Sequence, residues 1–548
     1  MIKKDKKIVY LALLGALLLF HIINNAIFLT IYPLAEGKDS YAHITAFNNF
    51  CQIIENGKDN PFYIQGKSLL YNLVFVVIDY PPFFYFSAFV FNLLFGGLFF
   101  NAPIFTPTVY LLALLSAVYF IGKKINPETG IMAAFICSMY PMIFLPSRHF
   151  SLELTLCAIS VLSILILLET DFFLRRKFSV LLGIVLGLGM LTKQTFLIYI
   201  SGPFLVYGFY LLKSCRAEMK KQKIVNMFIC SGIFLGISSL FYFNKDIYIN
   251  AFNRAGFLGA ISNNDIFSLE HISYYIRSIR HTLGVFFSVV FLAACFYIKR
   301  INSPFRWMFI MWICVPMVFF TFIILKYGEY TISYLPALAL ISAAGIVNIK
   351  QNKLRVLTIM IVGFAGILNY YNLTYARSVM FYSTYHAANP RCEIFSHDDS
   401  STALRKRHSM QEVISVIGSR NYKVGIIYDD KNLDFPVYLM RTLFAATKNK
   451  AQIVDFLFRS NAFIDNMHVF DMMIYITRSE RQWTTEKAFR NFIQESSKGF
   501  FADINVSKEF IAELVSQNKK FEMAYFLRFQ TDNFQKSPEN IYIYTRKK

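Results

Sequence analysis

The stretch MIKKDKKIVYLALLGALLLFHIINNAIFLTIY, residues 1–32, decides the fold class. Four lysines stand ahead of an apolar run that extends from Ile8 to Tyr32. This run is too long for the apolar part of a signal peptide, and no small-residue cleavage site closes it. We therefore expect a first transmembrane helix whose N-terminal lysines stay in the cytoplasm.

The composition of the whole chain agrees with a membrane protein. Of 548 residues, 55% are hydrophobic and only 16% are charged, which is more apolar surface than a soluble protein can bury. The formal net charge of +21 does not require a nucleic-acid partner, because Lys and Arg accumulate in the cytoplasmic loops of membrane proteins. We expect a polytopic α-helical protein of the cytoplasmic (inner) membrane that binds no nucleic acid.

Basic clusters separate the apolar segments and predict the topology. Placing every cluster in the cytoplasm leaves apolar stretches of about 17 to 25 residues, the length that crosses a hydrocarbon core of roughly 30 Å. Eleven spans follow, near residues 8–32, 105–121, 130–147, 152–169, 178–192, 195–212, 224–243, 282–298, 306–325, 332–348 and 354–371.

A further apolar segment, Pro81 to Phe100, is predicted to lie in the membrane interface, because a crossing there would move every later basic cluster outside. The first extracytoplasmic loop then covers residues 33–106 and includes an amphipathic helix near residues 41–56. Residues 1–371 form the predicted membrane module. Residues 372–548 lack long apolar runs and are predicted to form a soluble extracytoplasmic α/β domain, with strands at KVGIIYDD, MMIYITR and NIYIYTRK and a helix at FPVYLMRTLFAATK.

Ionisable residues near the predicted outer ends of the spans are the candidate site. Asp39 lies just after the first span; it suits either the N-cap of the helix that follows or a general base at the membrane surface. His43 follows one helical turn later, and a metal ligand is a further possibility for either residue. Local sequence does not separate these alternatives.

The stretch PSRHFSLEL, residues 146–154, brings Arg148, His149 and Glu153 to the start of a span. The two basic residues either anchor the helix at the interface, with Glu153 as their neutralising partner, or bind a phosphate. In the second case Glu153 suits a metal ion or a sugar hydroxyl. Lys193 and Lys326 also stand at outer helix ends, where one lysine is usually an anchor, but several cations on one face favour a lipid phosphate.

Taken together, these motifs resemble the integral-membrane glycosyltransferases of the C-type fold, in particular relatives of the protein O-mannosyltransferases and the lipid A aminoarabinose transferases. The resemblance rests on order and spacing over roughly residues 1–370. The matching residues are Asp39, Tyr80-Pro81-Pro82, Arg148 with Glu153, Thr192-Lys193, and Lys326 with Tyr334-Leu335-Pro336. Two departures are Ser40, where many relatives have a second acid, and Asp79-Tyr80, where some have Lys or His before the prolines.

The resemblance implies transfer of a sugar from a polyprenyl-phosphate donor to a glycolipid, polysaccharide or protein acceptor at the extracytoplasmic face. Asp39 would be the general base, and Lys193, Lys326, Arg148 and His149 would bind the donor phosphate. Tyr80, Pro81, Pro82 and Tyr334 would line the donor and acceptor site. A divalent metal at Glu153 and His43 is a tentative expectation, and no nucleotide cofactor is expected because the chain has no Gly-rich phosphate loop.

Two other classes of function use the same residues differently. A lipid-linked sugar transporter or flippase would move the head group without making a bond. An envelope polysaccharide assembly protein would instead rely on the C-terminal domain. The candidate ionisable residues lie on one predicted face of the membrane, which favours the transferase.

Overall fold

The protein is described from a computed structural model. Its described residues in the N-terminal part are 2–31, 43, 46–47, 49–51, 53–55, 57, 66–75, 80–95, 102–213, 220–244, 268–323 and 328–376, and in the C-terminal part the backbone of five strands. The chain divides into two units, Met1–Ser396 and His397–Lys548. The predicted boundary at residue 371 remains a prediction.

The first unit is helical, and a helix lies over each segment that the sequence predicts to be a span. Its α-helices are α1 Ile2–Ile31, α2 Leu69–Val74, α3 Phe83–Phe95, α4 Ala102–Lys123, α5 Pro127–Ser138, α6 Pro141–Phe144, α7 Glu153–Glu169, α8 Arg176–Met190, α9 Phe196–Lys213, α10 Lys220–Tyr242, α11 Leu269–Ile272, α12 Tyr274–Leu283, α13 Val285–Cys295, α14 Ser303–Thr321, α15 Leu335–Val347 and α16 Asn352–Tyr371. Short 3₁₀ segments cover Pro146–Arg148, Ile298–Arg300 and Gly328–Tyr334.

Seven of the described helical segments are long and apolar enough to cross a membrane, and a bent pair would make eight. These are the segments of α1, α4, α9, α10, α14, α15 with the 3₁₀ turn before it, and α16. Helices α7, α8 and α13 have only 17, 15 and 11 residues. The count of eleven spans therefore stays a prediction, whereas the integral-membrane character of the protein is confirmed.

The segment predicted as a span near residues 130–147 is bent, because the helix breaks at Tyr140. Its two parts, Pro127–Ser138 and Pro141–Arg148, lie at 76° to each other. Pro141 has no backbone N–H to continue the helix, and it forces the preceding Tyr140 into an extended conformation with ψ 126°. The chain therefore leaves α5 and enters the 3₁₀ turn that carries Arg148.

A second break divides the predicted span at residues 282–298. Helix α12 ends at Leu283 and α13 starts at Val285, with Gly284 between them at φ 80°. Glycine adopts this conformation without a Cβ clash, so it permits the change of direction. The apolar segment is thus a short helix, α13, joined to an amphipathic one.

Helix α15 forms the centre of the bundle. Every residue from Leu335 to Ile346 is buried. The helix packs against α5, α13 and α14, and its sequence LPALALISAAGI is apolar on all sides. A helix that is hydrophobic all round is typical of a position enclosed by other helices.

The first loop packs on the bundle through its amphipathic helix. Residues described between 43 and 55 are helical, and Phe47 and Phe50 bury their rings in one cluster with Phe84 and Tyr85 of α3 and with Phe150. The apolar residues whose spacing predicts this helix therefore form the face that packs on the bundle. Helix α3 has 13 residues, and its location in the membrane interface stays a prediction.

Charge is distributed unevenly between the two ends of the bundle. We define the basic end as the one where α4 ends and α8, α10, α14 and α16 begin; contacts such as Lys124 Nζ to Glu169 Oε1 at 2.6 Å join helices there. Its described cations are Lys123, Lys124, Arg175, Arg176, Lys177, Lys213, Lys221, Lys223, Lys299, Arg300, Arg306, Lys350, Lys353 and Arg355. The acids described at this end are Glu128, Glu169 and Asp171. We call the opposite end, where α7 and α9 begin, the site end.

The second unit contains a five-stranded mixed sheet. Its strands are β1 Lys423–Tyr428, β2 Gln452–Asp455, β3 Met472–Thr477, β4 Phe521–Phe529 and β5 Glu539–Arg546, in the order β2-β1-β3-β5-β4. Strand β1 pairs in parallel with β2 and β3, and β5 pairs antiparallel with β3 and β4. The three predicted strands correspond to β1, β3 and β5. The predicted helix lies outside the described residues, so the α/β class stays a prediction.

We predict that Gly202→Ala destabilises the bundle, whereas Gly208→Ala does not. A Cβ at Gly202 of α9 would lie 2.1 Å from the backbone oxygen of Met311 in α14, so the two helices would have to separate. Such overpacking costs about 1 to 3 kcal/mol. Gly208, on the same helix, has nothing within 4 Å of its added Cβ. Melting of the purified protein in detergent checks this, and equal melting temperatures for the two variants would refute the close packing of α9 on α14.

Candidate active site

The paired-proline turn is joined to the loop between α8 and α9. Tyr80, Pro81 and Pro82 precede α3, and the backbone N–H of Phe83 donates to the carbonyl oxygen of Leu191 at 2.9 Å. Since the two prolines have no N–H, Phe83 is the first residue after Tyr80 able to make this bond. The bond holds the turn beside Lys193, two residues after Leu191.

An ion pair occupies the centre of the site end. Nζ of Lys193 lies 2.6 Å from Oε1 of Glu153, the first residue of α7. The side chains are only 17% and 9% exposed, so solvent screens the attraction weakly. Removing one partner of such a pair leaves an uncompensated buried charge, which costs about 3 to 5 kcal/mol. From the sequence, Arg148 and His149 are the expected partners of Glu153, whereas the structure pairs Glu153 with Lys193.

Aromatic and imidazole rings surround the ion pair. Nζ of Lys193 lies 5.7 Å from the ring centroid of Tyr80, within the range of a cation–π contact. The Tyr80 ring in turn meets His43 edge to face, with centroids 5.2 Å apart. A hydrogen bond of 2.8 Å joins Nδ1 of His43 to the hydroxyl of Tyr85. The first loop, the proline turn and the α8–α9 loop therefore meet at Lys193.

Neighbouring charges and burial determine the protonation states of Lys193 and His43. Burial alone would lower the pKa of Lys193, but the carboxylate of Glu153 and the phenol of Tyr80 raise it to a value well above its ordinary one. Burial lowers the pKa of His43 to about 4, although Glu153 acts in the opposite direction. At neutral pH Lys193 is therefore a fixed cation and His43 is uncharged.

Arg148 is the centre of a separate polar network. Its Nε donates to Oδ1 of Asn25 in α1 at 2.9 Å, and one terminal nitrogen donates to Oγ1 of Thr374 at 3.0 Å. The other terminal nitrogen is bonded to the hydroxyl of Tyr370 in α16, and the guanidinium also lies over the ring of Phe28. Arg148 is 1% exposed. These contacts tie α1 and α16 to the turn that precedes α7.

Two further predicted site residues are also buried. His149 is 5% exposed and follows Arg148 directly. Tyr334 caps the start of α15 and is 1% exposed, and its hydroxyl has no hydrogen-bond partner within the described part of the chain. The roles predicted for His149 and Tyr334 stay predictions.

Asp39 and Lys326 lie outside the described residues, so their predicted roles are not tested. Among the described residues, no three His, Cys, Asp or Glu side chains come together as a metal site. Glu153 is paired with an ammonium group instead, and Nδ1 of His43 is bonded to Tyr85. The metal expected at Glu153 and His43 therefore stays a prediction.

Sequence reasoning missed the residues that support the predicted ones. Asn25 accepts from Arg148 and also donates to Thr108 and Ser147, at 3.0 and 2.9 Å. Its signal was available, because an amide inside the apolar run of α1 requires a polar partner. No such signal marks Tyr85, which is one aromatic residue in the run DYPPFFYF.

Comparison with known families matches part of the chain. Residues 79–243 match the family described as dolichyl-phosphate-mannose-protein mannosyltransferase. The matched stretch is less than half of the chain, and it includes the proline turn, Arg148, Glu153 and Lys193. No curated protein matches the sequence significantly.

Comparison with solved structures covers most of the chain. The crystal structure of ArnT from Cupriavidus metallidurans in the apo state has a TM-score of 0.56 at 13% identity, covering 84% of this chain and 93% of that one. The structure of the same protein bound to undecaprenyl phosphate has a TM-score of 0.57 at 12% identity, covering 96% and 98%. At these identities the likeness establishes the fold.

The helical bundle has the fold of ArnT, and residues 79–243 are similar to the dolichyl-phosphate-mannose-protein mannosyltransferase family. The family resemblance predicted from the order of the sequence motifs is thereby confirmed.

We predict that Arg148→Lys destabilises the protein although it preserves the charge. Lysine lacks the planar fork that bonds to Asn25, Thr374 and Tyr370 together, and each buried acceptor left without its donor costs about 1 to 3 kcal/mol. The control is Arg176→Lys, an exposed arginine at the basic end, for which we expect no more than about 0.5 kcal/mol. Thermal unfolding in detergent measures both, and a stable Arg148→Lys protein would show that the network does not hold α1 to α16.

Proposed function

We propose that this protein transfers a sugar from a polyprenyl-phosphate carrier to an acceptor at the extracytoplasmic face of the membrane. The observation that carries the proposal is the buried pair of Lys193 and Glu153 beside the Tyr80-Pro81-Pro82 turn. The pair lies within the stretch matched to the mannosyltransferase family, and the fold is that of ArnT, which has been crystallised with undecaprenyl phosphate.

Lys193 has the properties needed to stabilise a leaving phosphate. When the bond between the sugar and the phosphate breaks, negative charge grows on the phosphate oxygens. A cation fixed in a buried site stabilises that charge far more than a cation in water does. Glu153 holds the ammonium in place before the donor arrives, and the Tyr80 ring restricts its movement on another side.

The proposed reaction is a single displacement at the anomeric carbon. The carboxylate of Asp39 accepts the proton of the acceptor hydroxyl, and the acceptor oxygen forms a bond to the anomeric carbon with inversion. The bond from that carbon to the phosphate oxygen breaks, and the polyprenyl phosphate leaves. Lys326 and His149 are proposed to contact the same phosphate, and Tyr334 to line the site; these roles rest on the family resemblance.

For Arg148 we propose a supporting contribution to the phosphate site. Its guanidinium is bonded to Asn25, Thr374 and Tyr370, so its main effect is to fix the turn that leads to Glu153. Its positive charge still favours an anion at this end of the bundle.

The uneven charge distribution supports the proposed orientation. Cations far outnumber acids at the basic end, and Lys and Arg are retained on the cytoplasmic side of membrane proteins. Placing the basic end in the cytoplasm puts Lys193, Glu153 and the first loop outside, where lipid-linked sugar donors replace nucleotide sugars.

We predict that Lys193→Met and Asp39→Asn both slow transfer strongly but differ in donor binding. Removing Lys193 takes away the cation next to the leaving phosphate, so we expect weaker donor binding and a rate about 100-fold to 1,000-fold lower. Asp39→Asn removes the base alone, so the donor should still bind while the rate falls by about 100-fold or more. The measurement is formation of labelled product from a labelled polyprenyl-phosphate sugar and candidate acceptors.

The matched control for Lys193→Met is Lys353→Met, an exposed lysine at the basic end. It should transfer sugar like the wild type. Unchanged transfer by Asp39→Asn would contradict the proposed base. Movement of the lipid-linked sugar across the membrane, without product and insensitive to Asp39→Asn, would support a transporter instead.

We predict that a reporter fused after Lys548 lies outside the cytoplasm. An alkaline phosphatase fusion should be active, and a fluorescent protein that matures only in the cytoplasm should stay dark. The opposite result would place the C-terminal unit in the cytoplasm. That result would refute the proposed orientation, but it would not test the proposed reaction.

A further inference from the structure

Helices α8 and α10 lie side by side and run in the same direction. Gly183 of α8 faces the backbone oxygen of Cys230, 2.6 Å from the position of an added Cβ, and Gly187 faces Ile237 at the same distance. The facing residues advance together along both helices, so the pair is parallel. Both N-termini are therefore adjacent at the basic end, and their partial positive charges add there.

The described first turns of the two helices carry no acidic residue. Helix α8 has no acidic residue in its first turn, and its N-cap, Arg175, makes no side-chain capping bond. Helix α10 also has no acidic residue in its first turn. The first N–H groups of α8 have no partner within the helix, and the side chains of Arg176, Lys177 and Lys221 at the two helix starts are exposed.

The turn before α8 has an unusual backbone that is held by its neighbours. Asp171, Phe172 and Phe173 have φ angles of 51°, 55° and 63°, the left-handed region that non-glycine residues avoid. The N–H of Phe172 donates to the hydroxyl of Tyr207 at 2.6 Å, and Nδ2 of Asn226 in α10 donates to the carbonyl oxygen of Phe173 at 2.7 Å. Strain of this kind persists only where the surroundings impose it, and it occurs mainly at functional sites.

Lys223 of α10 is a buried cation directed into the same place. It is 5% exposed, and its Nζ lies 5.9 Å from the ring centroid of Phe172. No ion pair or hydrogen bond of Lys223 is found within the described part of the chain. Glu169 is already paired with Lys124 and Arg175, at 2.6 and 3.6 Å, and Asp171 is exposed. The stem of Lys223 is buried, so its ammonium group is held near the turn, where it favours an anion.

We propose that the N-termini of α8 and α10, together with Lys223 and the turn at residues 171–173, form a binding site for a phosphate group, distinct from the site at Lys193. We call it the basic notch. Helix N-termini and lysines are the groups that bind phosphate in proteins. The ligand class that fits is an anionic phospholipid of the adjacent leaflet, because exposed apolar side chains continue from the notch along α10, where an acyl chain would lie.

Exposed apolar side chains of α10 begin next to the basic notch. Ile224, Val225 and Phe228 are 50%, 47% and 75% exposed and begin one residue after Lys223. A free phosphate would use the notch alone, whereas a phospholipid would use both parts. Inorganic phosphate and phosphatidylglycerol therefore distinguish the two sources of the same chemical group.

The test compares the melting temperature of the full-length protein in nanodiscs of phosphatidylcholine with and without phosphatidylglycerol, and in phosphatidylcholine with millimolar inorganic phosphate. We expect phosphatidylglycerol to raise the melting temperature of the wild type and inorganic phosphate to do so less. Lys223→Met keeps the buried stem and removes the charge, so it should lose the rise. Lys353→Met, an exposed lysine at the start of α16, should keep it.

Melting of Lys223→Met in pure phosphatidylcholine shows whether the variant folds. If it does not, the double variant Arg176→Gln, Lys221→Gln, at exposed positions, replaces it and should also lose the rise. Native mass spectrometry should then find fewer bound phosphatidylglycerol molecules on the notch variant than on Lys353→Met. Equal binding and equal melting shifts would overturn the proposal. An equal rise with inorganic phosphate would overturn the phospholipid and leave a site for free phosphate.

Discussion

The ion pair between Lys193 and Glu153 is the constraint on which the arrangement of the site end depends. An ammonium and a carboxylate can be kept in an apolar bundle only if they meet and if the surrounding elements hold them together. Three segments do so: the start of α7 supplies the carboxylate, the loop before α9 supplies the ammonium, and the proline turn covers the pair. The backbone bond from Phe83 to Leu191 fixes the third segment to the second.

The rest of the bundle supplies rigidity around this pair. Helix α15 is buried on all sides and provides a core against which the outer helices pack. Arg148 connects two outer helices to the site. Its bonds to Asn25, Tyr370 and Thr374 fix the ends of α1 and α16 to the turn before Glu153. The two buried cations differ in their surroundings. Arg148 is bonded to three uncharged side chains, whereas Lys193 is paired with the carboxylate of Glu153.

The local sequence predicts much of this organisation but not all of it. Apolar length and basic clusters predict where the helices lie, because each crossing must bury about 20 residues in lipid and each cluster must stay in water. The breaks at Tyr140 and Gly284 were missed, since an apolar run hides a proline or glycine that redirects it. Glu153 and Lys193 were predicted to share one side of the membrane, but their direct pairing was not predicted. The enclosure of Arg148 was not, because it depends on Asn25 and Tyr370, which are 123 and 222 residues away in sequence.

The central claim is that a donor phosphate binds beside Lys193, and a structure of the protein in nanodiscs with undecaprenyl phosphate tests it most directly. We expect density for the phosphate within about 3 Å of Nζ of Lys193, at hydrogen-bond distance, with the lipid tail leaving toward the bilayer. The distance from Lys193 to Glu153 should lengthen from 2.6 Å as the two anions compete. A phosphate bound elsewhere in the bundle, with the Lys193–Glu153 pair unchanged, would contradict this account.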